Sequence, residues 1–98
     1  MQKIIEAIDL KQTKFSAKEK SAIENVIKNL DQGKLRVANK TEGGWQTHEW
    51  IKKSILLYFR LRKMKVSKIG EWRFNDKIPL KKWKGSEGVR VVPHAMAR

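Results

Sequence analysis

Arg90 is the residue of this chain whose setting most suggests chemistry. It interrupts the β-branched run Val89-Arg90-Val91-Val92-Pro93, which predicts a short strand with Val89 and Val91 on one side and Arg90 and Val92 on the other. A guanidinium on such a face needs a carboxylate or a phosphate, which it can grip through two parallel hydrogen bonds. Otherwise it is a cation on a solvated edge. A second candidate is the interleaving of aromatic and basic side chains in Trp72-Arg73-Phe74 and on to Lys81-Lys82-Trp83. Trp72, Phe74 or Trp83 could stack on a base or a ligand beside cations, or could pin an irregular segment onto the main helix. His48 and His94 are too few for a metal site in a chain with no cysteine, and neither is assigned to catalysis. The acids are scattered singly, and no nucleophile elbow, phosphate loop or carboxylate pair can be argued. The residues themselves therefore assign no catalytic group and no metal ligand.

The elements that would position these groups are read from periodicity. The apolar mass concentrates in residues 47–63, a predicted helix of about four turns. Trp50, Ile51, Ile55, Leu57, Tyr58 and Leu61 cover half of its circumference, and Lys52, Lys53, Glu49, Arg60 and Lys63 form a narrow charged arc. A face that wide suits a helix wedged between two layers, with Thr47 as N-cap. Upstream, Ile4, Ile5 and Ile8 predict a short helix over residues 2–11. Ser16 and Glu19 form a capping box that opens a helix over residues 17–31, striped by Ile23, Val26, Ile27 and Leu30 and closed by Gly33. From Lys34 the period becomes two, with Leu35 and Val37 opposite Lys34, Arg36, Ala38 and Lys40, which predicts a strand. Thr41 to Gly44 then turns the chain into a second strand at 45–47. After Lys63 the pattern reads as irregular. The expected fold is a mainly helical α+β domain in which the 17–31 and 47–63 helices pack together and a hairpin covers one end.

Charge narrows the function. The chain carries +13, and residues 34–98 hold seventeen Lys and Arg against five acids. Such a surface gathers phosphate-bearing partners, so a small basic nucleic-acid-binding module is one reading. The absence of cysteine and of a secretory h-region near the start points to the cytoplasm. The charges within residues 47–63 exclude a membrane span there.

Several runs carry a resemblance. Leu35-Arg36-Val37-Ala38, Gly44-Trp45-Gln46-Thr47-His48-Glu49-Trp50-Ile51-Lys52-Lys53, Leu56-Leu57, Asp76-Lys77-Ile78-Pro79-Leu80-Lys81 and Gly88-Val89-Arg90-Val91-Val92-Pro93 together look like the N-terminal domain of tetrahydrodipicolinate N-succinyltransferases. The resemblance implies a part of a homotrimeric enzyme that moves succinyl from succinyl-CoA, its co-substrate, to tetrahydrodipicolinate in lysine and diaminopimelate biosynthesis. The family's left-handed parallel β-helix has no hexapeptide repeat here. Its catalytic groups and most of its coenzyme pocket are therefore expected outside these residues, and no cofactor is expected on this part alone. By the same resemblance, residues 1–93 form the N-terminal domain, 94–98 begin the connection to the β-helix, and Arg90 binds a carboxylate of the dicarboxylic substrate.

Overall fold

The computed structural model of the protein describes residues 1–93 and 95–97, and the chain divides into two compact units, Met1–Arg62 and Lys63–Arg98. The first unit is organised by three helices. Helix α1, Gln2–Ala7, is shorter than the predicted 2–11. The Asp9 carboxylate accepts from the Lys11 N–H at 2.9 Å and the Asp9 carbonyl from the Gln12 N–H at 3.0 Å, a local turn that competes with helix propagation. Six residues cannot hold a helix by themselves, so α1 persists by burying Ile5, with Ile8 buried just beyond it.

Helix α2, Ala17–Asp31, begins as its capping box predicts. The Ser16 hydroxyl accepts from the Glu19 N–H at 3.2 Å, and the Glu19 carboxylate accepts from the Ser16 N–H at 2.8 Å. Ala22, Ile23 and Val26 are buried. The helix ends at Gly33, whose φ of +73° is the left-handed conformation that a side chain makes costly. There the Gly33 N–H bonds to the Leu30 carbonyl, and the N–H groups of Lys34 and Leu35 both bond to the Asn29 carbonyl. That wrap overturns the predicted strand at Lys34, because a backbone tied back to the helix cannot alternate its side chains.

The strand starts later, as β1, Ala38–Thr41, and pairs antiparallel with β2, Gly44–Thr47, from Ala38↔Thr47 to Thr41↔Gly44. The hairpin covers little. Trp45 on β2 is 71% exposed, and neither strand packs against a helix.

Helix α3, Glu49–Leu61, has His48 at its N-cap position, with no cap hydrogen bond from the side chain. Thr47 is not the cap, because its place in the β1–β2 ladder takes it. The buried face of α3 is Ile51, Ser54, Leu57 and Tyr58, narrower than the sequence suggests, and Leu56 and Phe59 are largely exposed. The helix does lie between two neighbours, packing against both α1 and α2. Lys53, expected on the charged arc, instead donates from Nζ to the Glu6 carbonyl of α1 at 2.9 Å. It thereby satisfies a carbonyl that the end of a helix leaves open.

The second unit contains a hairpin where an irregular segment was expected. Strand β3, Lys65–Ile69, pairs antiparallel with β4, Trp72–Asp76, across the two-residue turn Gly70-Glu71. Gly70 takes φ +58°, the backbone sense that a tight hairpin turn requires of its first central residue. The register puts Ile69, Trp72 and Phe74 on one face and Val66, Lys68, Arg73 and Asn75 on the other. Every side chain classed as buried among the described residues belongs to the first unit. The described residues thus form a small α+β chain of three helices and two two-stranded sheets, without a β-helix coil among them. No described helix is long and apolar enough to cross a membrane.

Candidate functional site

Arg90 sits in an irregular run of the second unit, and the strand predicted for residues 89–93 is absent. The two sheets account for all the ladders among the described residues, so this β-branched run has no neighbour to pair with. Other contacts hold it. The Glu87 carboxylate accepts from the Lys84 N–H at 3.1 Å and from the Ser86 N–H at 3.0 Å, clasping a turn in which Gly85 and Gly88 take φ of +90° and +76°. Further along, the Ala95 N–H bonds to the Val92 carbonyl at 3.0 Å. The Lys81 N–H bonds to the Ala97 carbonyl at 2.7 Å, which draws the two ends of the run together.

Val89 and Val91 line a cavity of about 220 Å³ with Trp83, Gly85 and Glu87. Arg90 lies between the two valines and outside that lining. Its side chain is exposed, and no described residue offers it a hydrogen bond or an ion pair. A guanidinium held on a loop with its donors unspent can accept a planar anion from outside. No carboxylate of the described residues competes for it.

The aromatic candidates divide. Trp72 and Phe74 are on β4, not in an irregular segment, and their rings stack with centroids 6.4 Å apart and planes 7° from parallel. Trp83 belongs to the cavity beside Val89. His48 Nε2 lies 2.9 Å from Asn39 Oδ1, and His94 lies outside the described residues. Among the described residues no three His, Asp or Glu side chains gather as a metal site.

A family model described as tetrahydrodipicolinate N-succinyltransferase N-terminal matches residues 1–61, nearly the whole of the first unit. The chain belongs to this family. Relatives named 2,3,4,5-tetrahydropyridine-2,6-dicarboxylate N-succinyltransferase extend the likeness. That of Legionella pneumophila is 46% identical over 84 residues, covering 80% of this chain and 30% of its own length. That of Coxiella burnetii is 48% identical over 81 residues, covering 79% and 30%. That of Dechloromonas aromatica is 48% identical over 84 residues, covering 80% and 31%. Coverage near 80% reaches past the first unit and into the second. The chain spans about 30% of the length of the curated relatives it matches.

Within this N-terminal family unit, Lys34 and Arg36 are what periodicity misplaced. As the outward face of a strand they carried no chemistry. Delivered by the wrap after α2, they line an open basin together with His48 and Asn39. The signal was present in Gly33, which marks a helix stop and thus argues against an immediate strand.

Proposed function

We propose that the chain is the N-terminal part of an acyltransferase that moves succinyl from succinyl-CoA to tetrahydrodipicolinate, in cytoplasmic lysine and diaminopimelate biosynthesis. The family match across the first unit, extended by relatives of this name at 46–48% identity, carries the reading. Arg90 holds a carboxylate of the acceptor, and its exposed guanidinium, unpaired among the described residues, supports that role. Residues 94–98 begin the connection to a β-helix domain, where the catalytic groups and most of the coenzyme pocket lie. Assembly is as a homotrimer, to whose packing this part contributes.

The test is a chimera in which this chain replaces the matching N-terminal part of the Legionella pneumophila relative. Succinyl-CoA-dependent acylation of tetrahydrodipicolinate, followed by release of the coenzyme thiol, is expected. A folded chimera without turnover overturns the reading.

A nucleic-acid-binding module is the second reading. It is favoured by the stacked Trp72–Phe74 pair and by the excess of cations in residues 34–98. It requires binding to single-stranded or duplex nucleic acid that persists near physiological salt and prefers some sequences. Binding that vanishes as salt rises is what any basic surface gives.

A further inference from the structure

We propose that the basin of the first unit binds a phosphomonoester, with the phosphate between Lys34, Arg36 and Asn39 and the organic group against Trp50 and Leu35. The basin has a volume of about 430 Å³, within the range of small-ligand sites. Its polar lining consists of Lys34, Arg36, Asn39, His48 and Gln2, without a carboxylate, and its apolar lining of Leu35, Trp50 and Ile51. Neither cation has a hydrogen bond or an ion pair from its side chain to a described residue. Like-charged groups left uncompensated around one concavity raise the local concentration of anions.

The backbone beneath these side chains is fixed. The N–H groups of Lys34 and Leu35 share the Asn29 carbonyl at 2.8 and 3.2 Å, and the His48 N–H bonds to the Val37 carbonyl at 2.7 Å. Lys34 and Arg36 are therefore carried on a stretch of chain that backbone hydrogen bonds hold at both ends. Pairing of His48 Nε2 with Asn39 Oδ1 at 2.9 Å makes Nε2 the donor and leaves the Asn39 amide N–H groups for a ligand.

The lining selects the ligand class. Two cations match the charge of a phosphate dianion, whereas a single carboxylate would leave one of them uncompensated. Donors arriving from several residues suit a tetrahedral acceptor better than a planar one. An inorganic ion would leave the apolar side of Trp50, Leu35 and Ile51 unused, and an ester group covers it.

The experiment is a titration of the 98-residue chain, read by backbone amide NMR shifts at constant ionic strength. The probes are phenyl phosphate, inorganic phosphate and sulfate. Saturable shifts are expected at residues 33–36 and 48–51, with phenyl phosphate binding about fivefold or more tighter than inorganic phosphate through its ring. Lys34→Gln combined with Arg36→Gln is expected to weaken phenyl phosphate about tenfold or more. Lys68→Gln combined with Lys84→Gln removes equal charge from the second unit and is expected to change it by less than about twofold. Shifts that never saturate, that spread over the cationic surface, or that are equal for all three anions overturn the proposal. So does an equal loss in the two double variants. Should the Lys34/Arg36 variant fail to fold by circular dichroism, the location of the saturable shifts in the unaltered chain decides alone.

Discussion

A guanidinium can hold a carboxylate through two parallel N–H···O bonds, and an ammonium cannot. In the active chimera, Arg90→Ala is expected to lower kcat/KM for tetrahydrodipicolinate about ten- to hundredfold, from a charge-assisted contact worth roughly 1.5–3 kcal/mol. Arg90→Lys keeps the charge and loses the fork, so its deficit measures geometry. The KM for succinyl-CoA is expected to stay unchanged in both, and steady-state kinetics with each substrate varied check this. Unchanged acceptor kinetics would return Arg90 to the status of a surface cation. A second contrast concerns the buried face of α3. Leu57 is fully buried, and Leu57→Ala is expected to cost about 2–5 kcal/mol. Ser54 is equally buried and its hydroxyl bonds to the Trp50 carbonyl at 2.9 Å. That carbonyl also has the helical N–H of residue 54, so Ser54→Ala orphans nothing and is expected to change stability by less than about 1 kcal/mol. Urea unfolding of both variants separates the two cases.

Helix α2 shows how far an element can be read from its ends. The Ser16 N–H bonds to the Glu19 carboxylate and outweighs the opposing effect of burial, so that, with smaller help from the Ser16 hydroxyl and Gln12, the carboxyl is held below its ordinary value. A lowered folded-state value means that the charged form favours folding. This contribution is whole above the ordinary carboxylate range and is lost as pH falls through the folded value. Thermal unfolding should therefore separate the native chain from Glu19→Gln at pH 7 and bring them together as pH falls below the folded value. Ser16→Ala removes the cap itself and is expected to cost roughly 0.5–2 kcal/mol, read by the same melts. These ends were legible because caps are local chemistry. Helix α3 was legible in its span but not in its burial, since Ser54 and Lys53 act through contacts with α1 and the helix's own backbone that no periodicity encodes. The β3–β4 hairpin was missed because Lys65, Ser67 and Lys68 dilute its apolar alternation, although Gly70 marked the turn. Arg90 was singled out for an alternation that is absent, and its case now rests on a guanidinium without a partner among the described residues and on resemblance.

At the scale of the molecule, the buried side chains of the described residues all lie in Met1–Arg62. Residues 1–62 alone are expected to give a cooperative thermal transition by circular dichroism, and residues 63–98 alone to give none. An isolated two-stranded hairpin with no buried apolar layer is marginal in water. The 98-residue chain by itself is expected to show no succinyl-CoA turnover, because the proposed catalytic groups belong to the β-helix domain. Thiol release by the purified chain would refute that. Both sheets have only two strands, so every strand among the described residues has one side of its backbone unpaired within its own sheet. Such borders invite edge-to-edge pairing between molecules. A charge of +13 opposes such pairing, with a repulsion that reaches about 10 Å at 0.1 M ionic strength and about 3 Å at 1 M. Colloidal stability is thus tied to ionic strength. Concentrated salt, which relaxes the repulsion while leaving the borders intact, should turn a monodisperse solution into one that associates through its strands.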